Sequence, residues 1–311
     1  MSFTRNLILV SEQRHMDPAD FHAIAAHVRE RAPDIEVFVV ENGSLNSRSA
    51  RHASQRPSIV VCPTALDMFR PRRGREFIGR WIGKIEEMQR MQNAGLPVPR
   101  WTEIMPDLKL DEKEWGPAVI VKPSFGGGNR EITLMPVDEV RYQAPQEFSE
   151  DHRARIGPLI AQQFIHTGPR PVEYRVLTLL GRPLYAVKQT SIDGAPFDWP
   201  LPDAVSPRTD VSSQGRHRRI EFAYDPELLA LASAVHDCMP DVATVACDIV
   251  KDAASGKLFV IEANTKGWGW RLSSRSGREQ QKEANLDFYS QFDALSVAAD
   301  VLIEHTHQVA E

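Results

Sequence analysis

Residues 246–270 read ACDIVKDAASGKLFVIEANTKGWGW, and this stretch decides the fold. TVACDIV (244–250) and KLFVIEAN (257–264) are rich in β-branched and apolar residues, and KDAASGK supplies the turn formers Asp252, Ser255 and Gly256. The pattern predicts a β-hairpin. Glu262 and Asn264, two apart on the second strand, project from one face, about 6–7 Å apart along it. Asp248 joins them if the loop has an odd number of residues, three or five both fitting KDAASGK; an even loop would turn it away. Two carboxylates and an amide oxygen suit Mg²⁺ better than zinc. The competing reading is a strand end whose polar residues face water. Against it, Val260, Ile261 and Ala263 interleave the three, and a carboxylate buried among apolar residues needs a cation or partner.

The chain has 311 residues, 42% hydrophobic and 25% charged, enough for two or three packed layers and more than one domain. A net charge of −5 gives no global electrostatic case for nucleic acid. Cys62, Cys238 and Cys247 lie far apart and form no CxxC, so neither a zinc site nor a disulfide framework is expected. The apolar run in MSFTRNLILVSEQRH is too short for a signal peptide or a span, and no later stretch is long enough. The expectation is a cytoplasmic protein without a membrane partner.

Upstream of the hairpin, NLILV reads as a buried strand. DPADFHAIAAHVRERA reads as a helix capped by Asp17 with Pro18 in its first turn, and IEVFVVEN and PSIVVCPT as further strands. This is an open α/β layer. SEQRHMD lacks GxGxxG, which argues against a dinucleotide fold. FRPRRGREFIGRW, with Pro71, Gly74 and five arginines, reads as a solvated linker and boundary. IGKIEEMQRMQNAG reads as a helix closed by Gly95. In AVIVKPSFGGGNREITLM two strands flank a loop at 124–129, either a flexible hairpin or a phosphate cradle whose backbone N–H groups approach the anion, with Lys122 just before it. GxxxxGK[ST] is absent.

PLIAQQFIHTG supplies a strand, and VEYRVLTLL-GRP-LYAVKQT a second hairpin across Gly181-Arg182. A two-residue turn there puts Arg175 directly opposite Lys188, an arrangement that favours an anion between them. A register shift at Pro183 would separate the two. Residues 193–219 read as a long surface loop. PELLALASAVHDCM and LDFYSQFDALSVAADVLIEH read as helices, with His305 and His307 in a frayed tail. No GxSxG or HExxH occurs.

In this order the pieces resemble the ATP-grasp superfamily, and within it the branch holding the ribosomal-protein S6 glutamate ligase and bacterial glutathione synthetase. The likeness runs from about Gly83 to Asn264. It implies an α/β fold with α+β elements: an N-terminal open α/β pre-ATP-grasp domain over 1–77, then an ATP-grasp domain over 78–311. The latter would divide into a lid at about 80–160 and a metal-binding part at about 161–311.

GKIEEMQRMQNAGLPVP resembles the family's Lys-initiated helix, making Lys84 a phosphate contact. IVKPSFGGGN resembles its lysine and glycine-loop lid, so Lys122 would reach the α and β phosphates beneath Gly126, Gly127 and Gly128. AQQFI resembles the hinge whose backbone holds adenine, here Gln162, Gln163, Phe164 and Ile165. EYRV resembles Asp-Ile-Arg-Val, which assigns Glu173 to the ribose and Arg175 to the phosphate side. CDIV and IEAN resemble the metal positions, giving Asp248, Glu262 and Asn264 as ligands of Mg²⁺, two ions being implied, with Mn²⁺ as the alternative.

The resemblance implies an ATP-dependent carboxylate–amine ligase working through an acyl phosphate, with Arg175 and Lys188 as catalytic cations. Its substrates would be small molecules or peptides; nucleic acid is not among them, and a homodimer is left open. The rivals are a non-catalytic, synapsin-like ATP-binding module and a small-molecule kinase. Two departures fall on the acceptor side. No Arg-Ser-Asn patch can be matched in 191–219, and 265–270 read TKGWGW where the family has Ser-Pro-Gly. Trp268 and Trp270 are accordingly read either as a substrate-pocket wall, helped by Lys266 or by the arginines of GRHRR (215–219), or as core packed on Phe288, Tyr289 and Phe292.

Overall fold

The structure is a computed structural model and describes residues 3–42, 55–66, 71–127, 130–193, 217–267 and 269–309. The N-terminal layer is a parallel sheet in the order β2-β1-β3-β4, made of β1 (Arg5–Ser11), β2 (Ile35–Glu41), β3 (Ser58–Cys62) and β4 (Gly74–Ile78). Leu7, Ile8, Leu9 and Val10 are all fully buried, so β1 is covered on both faces, as its unbroken apolar run requires. Helix α1 (Pro18–Arg31) opens where expected, the Asp17 carboxylate accepting from the Ala19 N–H at 3.0 Å.

The stretch GREFI, read from sequence as linker, is instead strand β4. It pairs in parallel with β3 from Ser58↔Gly74 to Cys62↔Ile78. Gly74 permits this approach: its φ is +108°, and a Cβ there would stand 1.9 Å from the Ser58 carbonyl oxygen. Arg75 is held by Asp241 at 2.7 Å.

A second, antiparallel sheet runs β5-β8-β6-β7, from β5 (Trp101–Glu103), β6 (Ala118–Pro123), β7 (Thr133–Pro136) and β8 (Leu159–Gln163). It follows helix α2 (Lys84–Asn93), which ends on Ala94 and Gly95 at φ +72° as the sequence predicts. The short α3 (Glu112–Trp115) packs on its β6 side.

The third sheet, antiparallel throughout, runs β11-β10-β9-β12-β13. Its strands are β9 (Val172–Leu179), β10 (Arg182–Ser191), β11 (Arg218–Phe222), β12 (Thr244–Lys251) and β13 (Leu258–Asn264). One face is covered by α4 (Pro226–Asp237), whose Leu228, Ala232 and Val235 meet Val176, Val245, Cys247 and Val260. On the other, Leu177, Tyr185 and Ala246 join Leu7 and Phe21 of the first layer, Trp270 and Phe288 in one shared core.

The closing helix α6 (Ala294–Val309) lies against α1 and is shorter than the segment read from sequence, because residues 288–293 form turns. An unanticipated helix, α5 (Arg275–Ala284), precedes it. Ser274 caps α5 by accepting from the Gly277 N–H, and Asn285 ends it in the left-handed region. His305 is not in a frayed tail: it lies within α6, its ring edge-on to Phe77 at 5.8 Å.

His236 in α4 is buried between its Nε2 donation to the Val242 carbonyl at 3.0 Å and the Thr178 hydroxyl at 2.7 Å from Nδ1. Burial pushes its pKa down to about 4, against the pull of the Val242 hydrogen bond. Between that value and an unfolded value of about 6.5 the unfolded chain binds the extra proton. The contribution to stability is therefore full above pH 6.5 and is lost as pH falls through 4, roughly 3 kcal/mol in all. Denaturant unfolding at pH 7 and pH 4 should show this difference between the native chain and His236→Gln; equal pH dependence in the two would reject it.

Candidate active site

The register of the β12–β13 hairpin assembles the first part of the site. Ala246 pairs with Asn264 and Asp248 with Glu262, but from Ile249 onward the partner shifts, Ile249 pairing with Val260. The loop holds six residues, 252–257, neither of the odd lengths expected. Taken alone, that even loop would turn Asp248 away from Glu262. A β-bulge at Ile261 adds one residue and restores the alignment, leaving Asp248, Glu262 and Asn264 on one face. The bulged Ile261 carbonyl accepts from Lys122 Nζ at 3.2 Å.

Arg175 of β9 pairs with Asp248 across the sheet and grips it bidentately, Nε to Oδ1 and Nη2 to Oδ2 both at 2.6 Å, with Glu173 at 3.7 Å. Asn264 Nδ2 donates to Asp248 Oδ2 at 3.0 Å. From α2, Lys84 Nζ reaches Glu262 Oε1 at 2.7 Å and the Gly126 carbonyl of the glycine loop at 3.0 Å.

One turn on, Glu87 Oε2 accepts from the Ala263 N–H at 3.4 Å. Lys84, Glu87, Met88 and Met91 form the buried stripe of α2, the i, i+3, i+4, i+7 face that packs on β13. Sequence reasoning singled out Lys84 and missed Glu87. The available signal was its three-residue spacing from Lys84 on the methionine stripe.

Burial, and then the negative Glu262, push the Glu87 carboxyl up to about 8. Burial pushes the Lys122 ammonium down to about 8, against the pull of Glu262. Burial alone would raise Glu262, but Lys84 and Lys122 hold it below the usual carboxylate range. Burial opposes the Arg175 charge, Asp248 more than restores it, and the guanidinium stays firmly protonated. At neutral pH the cations of Lys122 and Arg175 thus stand near the carboxylate of Glu262, with Glu87 largely neutral.

Other expected residues fall as follows. Arg175 pairs with Val187 and Lys188 with Tyr174, because the register shifts between Pro183 and Tyr185. Lys188 therefore points to the opposite face from Arg175, across from Glu221 of β11, and the two cations do not share an anion site. Gln162 and Gln163 end β8 at the sheet that carries Lys122, Gln162 buried with Nε2 toward Met88 Sδ at 3.7 Å, and Phe164 packs under Ala118 and Leu134. Ile165 follows in the connection to β9. Gly127 accepts from Arg153, while Gly128 lies outside the described residues.

Trp270 is not a pocket wall. It is fully buried against Phe21, rings edge-on at 5.7 Å, and donates to Asp20 at 2.7 Å. Trp268 lies outside the described residues. Lys266 sits over the ring of Trp81.

Among the described residues no three His, Cys, Asp or Glu side chains group to hold a metal. The oxygen set is instead two carboxylates and an amide on one face, hard donors that fit Mg²⁺ with positions left for water and phosphate.

No protein-family model and no curated protein matches the sequence. Solved structures do match. The D-cycloserine synthetase DcsG superposes with a TM-score of 0.50 over 96% of this chain and 99% of its own, at 14% identity. The ATP-grasp ligase PsnB, complexed with minimal precursor, Mg and ADP, gives 0.50 over 97% and 98%, at 15% identity. PsnB with the precursor peptide PsnA2 and AMPPNP gives 0.50 at the same coverage and identity. The fold is the ATP-grasp fold. The likeness is one of architecture.

Proposed function

We propose that the chain is an ATP-dependent carboxylate–amine ligase that works through an acyl phosphate. The observation carrying this reading is that Asp248, Glu262 and Asn264 share one face of a hairpin and meet Lys84, Lys122 and Arg175 from three other elements. The motif resemblance to the S6 glutamate ligase and glutathione synthetase branch, and solved relatives holding Mg with ADP, support it.

A carboxylate nucleophile is already ionised at neutral pH and needs no general base, so the protein's task is positioning and charge neutralisation. Its oxygen bonds to the γ-phosphorus as the bond to the β–γ bridging oxygen breaks and ADP leaves. The amine nitrogen then bonds to the acyl carbon, losing a proton as phosphate departs. Lys84, Lys122 and Arg175 offset phosphate charge, the backbone of 162–165 holds adenine, and Glu173 meets the ribose. Mg²⁺ held by Asp248, Glu262 and Asn264 would supply Lewis-acid stabilisation of phosphoryl oxygens.

We assign residues 78–311 to the ATP-grasp unit, with its lid at about 80–160, and 1–77 to the preceding layer. The free cysteines Cys62, Cys238 and Cys247 suit a reducing compartment, in keeping with a cytoplasmic enzyme.

ADP release, measured over a panel of carboxylates and amines with hydroxylamine as trap, tests the reaction. Acyl hydroxamate is the expected product. Phosphorylated alcohol instead would indicate a kinase, and tight Mg–ATP binding without turnover on any pair would indicate a binding module. Lys122→Ala is expected to weaken Mg–ATP binding by about tenfold or more, since hydrogen bonds to charged groups contribute about 1.5–3 kcal/mol. Unchanged affinity by calorimetry would leave the glycine loop a mere hairpin.

A further inference from the structure

Three polar side chains beyond Arg175 take no part in the proposed phosphoryl and acyl transfer. Gln189 of β10 is fully buried, and neither its Nε2 nor its Oε1 has a hydrogen-bond partner. An unmet buried carboxamide is costly, and natural folds seldom leave one without reason. Register fixes where it faces. Gln189 pairs with Glu173 on one side and Ile220 on the other, and Ser191 pairs with Arg218. Gln189 and Arg218 therefore share the face of Glu173, Arg175, Asp248 and Glu262.

Arg271 comes to the same face from the segment where the family has Ser-Pro-Gly. The Tyr185 hydroxyl, two strand positions from Val187 on that face, donates to the Gly269 carbonyl at 2.8 Å, and the Arg271 N–H bonds the same carbonyl at 2.7 Å. Its guanidinium is steadied by Gln280 Oε1 at 2.9 Å. Burial, then the positive charge of Arg175, push Arg271 down to about 10.

Arg175 has Asp248. Among the described residues neither Arg218 nor Arg271 forms an ion pair. Gathering guanidiniums that lack ion-pair partners beside an unsatisfied amide is unfavourable unless an anion completes the group. That anion is separate from the metal-bound phosphate end. In the order β11-β10-β9-β12-β13, Gln189 lies three strands from Glu262, about 14 Å across the sheet, and two residues off its row.

We propose that Gln189, Arg218 and Arg271 form a carboxylate subsite, so that one substrate is a small dicarboxylate whose second acid group is held there while the first is activated. This rests on the ligase reading. Guanidinium forks match a carboxylate bidentately, the Gln189 Nε2 adds a donor, and its Oε1 accepts from an adjacent amine where the diacid carries one.

The test is calorimetry on the full chain, with and without saturating Mg–ADP, titrating succinate, glutarate, L-aspartate and L-glutamate, each against its monoamide. At least one diacid should bind tenfold or more tightly than its monoamide. Arg271→Gln should remove that preference while Mg–ADP affinity stays within twofold. Arg218→Gln, at the start of an edge strand and safer for folding, should do the same. No binding by any diacid, equal binding of the monoamides, or full affinity in the folded variants would overturn the subsite. Failure of Mg–ADP to bind would sink the ligase reading instead, while the titration without nucleotide still judges the subsite.

Discussion

Glu262→Gln is expected to lower Mg-dependent ATP turnover about 10²–10³-fold, the usual loss when one preorganised electrostatic group is removed from a phosphoryl or acyl transfer site. Glu262 is where three elements converge: it faces Asp248 across the hairpin, accepts from Lys84 of α2 at 2.7 Å, and is held ionised by Lys84 and Lys122. The amide keeps its shape and can still take the Lys84 hydrogen bond through Oε1, but it removes the charge that a cation on this face needs. The fold has a compensating group. Glu87 is raised to about 8 by burial first and then by Glu262, so losing the Glu262 charge eases its ionisation beside Lys84. The melting temperature should therefore change little while turnover collapses. Turnover within tenfold of native in a folded, ATP-binding variant would remove Glu262 from the metal set.

Trp270→Ala is expected to cost stability instead, about 3–5 kcal/mol, the range for emptying a buried aromatic site. Trp270 fills the core shared by the first layer and the third sheet. Its indole N–H is one of three donors to the Asp20 carboxylate, with Ser273 Oγ at 2.6 Å and the Tyr289 hydroxyl at 2.8 Å. This node ties α1 to the chain on both sides of α5. Asp20→Ala should be similarly harmful, since it strands three buried or half-buried donors. Both variants should unfold at lower denaturant with an unaltered midpoint for Mg–ATP binding. A native midpoint for unfolding, with loss confined to substrate affinity, would return Trp270 to the pocket.

The two predictions separate neighbours in one sequence motif. Glu262 and Trp270 are eight positions apart, and the chain turns at Gly267, φ +77°, so that one faces the site and the other the core. A Cβ at Gly267 would stand 2.1 Å from the Pro63 carbonyl oxygen, so the turn is fixed by close contact with the first layer.

What the sequence by itself determined was set by local chemistry. β-Branched runs around Asp252, Ser255 and Gly256 specify the β12–β13 hairpin, Asp17-Pro18 starts α1, and Gly95 ends α2. Lys122 could be named because it lies just before the glycine loop, and Lys84 through the motif resemblance of its helix. Tertiary structure decided everything that depends on register and on contact between distant segments. The Ile261 bulge, not loop length, aligned Asp248 with Glu262, and the shift after Pro183 parted Lys188 from Arg175. A period-2 strand exchanges faces with a single extra residue, and local sequence does not reveal where a neighbouring strand will accommodate it. GREFI became a strand only because β3 offered an open edge, and Gln189, Arg218 and Arg271 became neighbours only through pairing across β9, β10 and β11 and the return of the chain after β13. Their shared face is a product of long-range pairing, which no window of sequence contains.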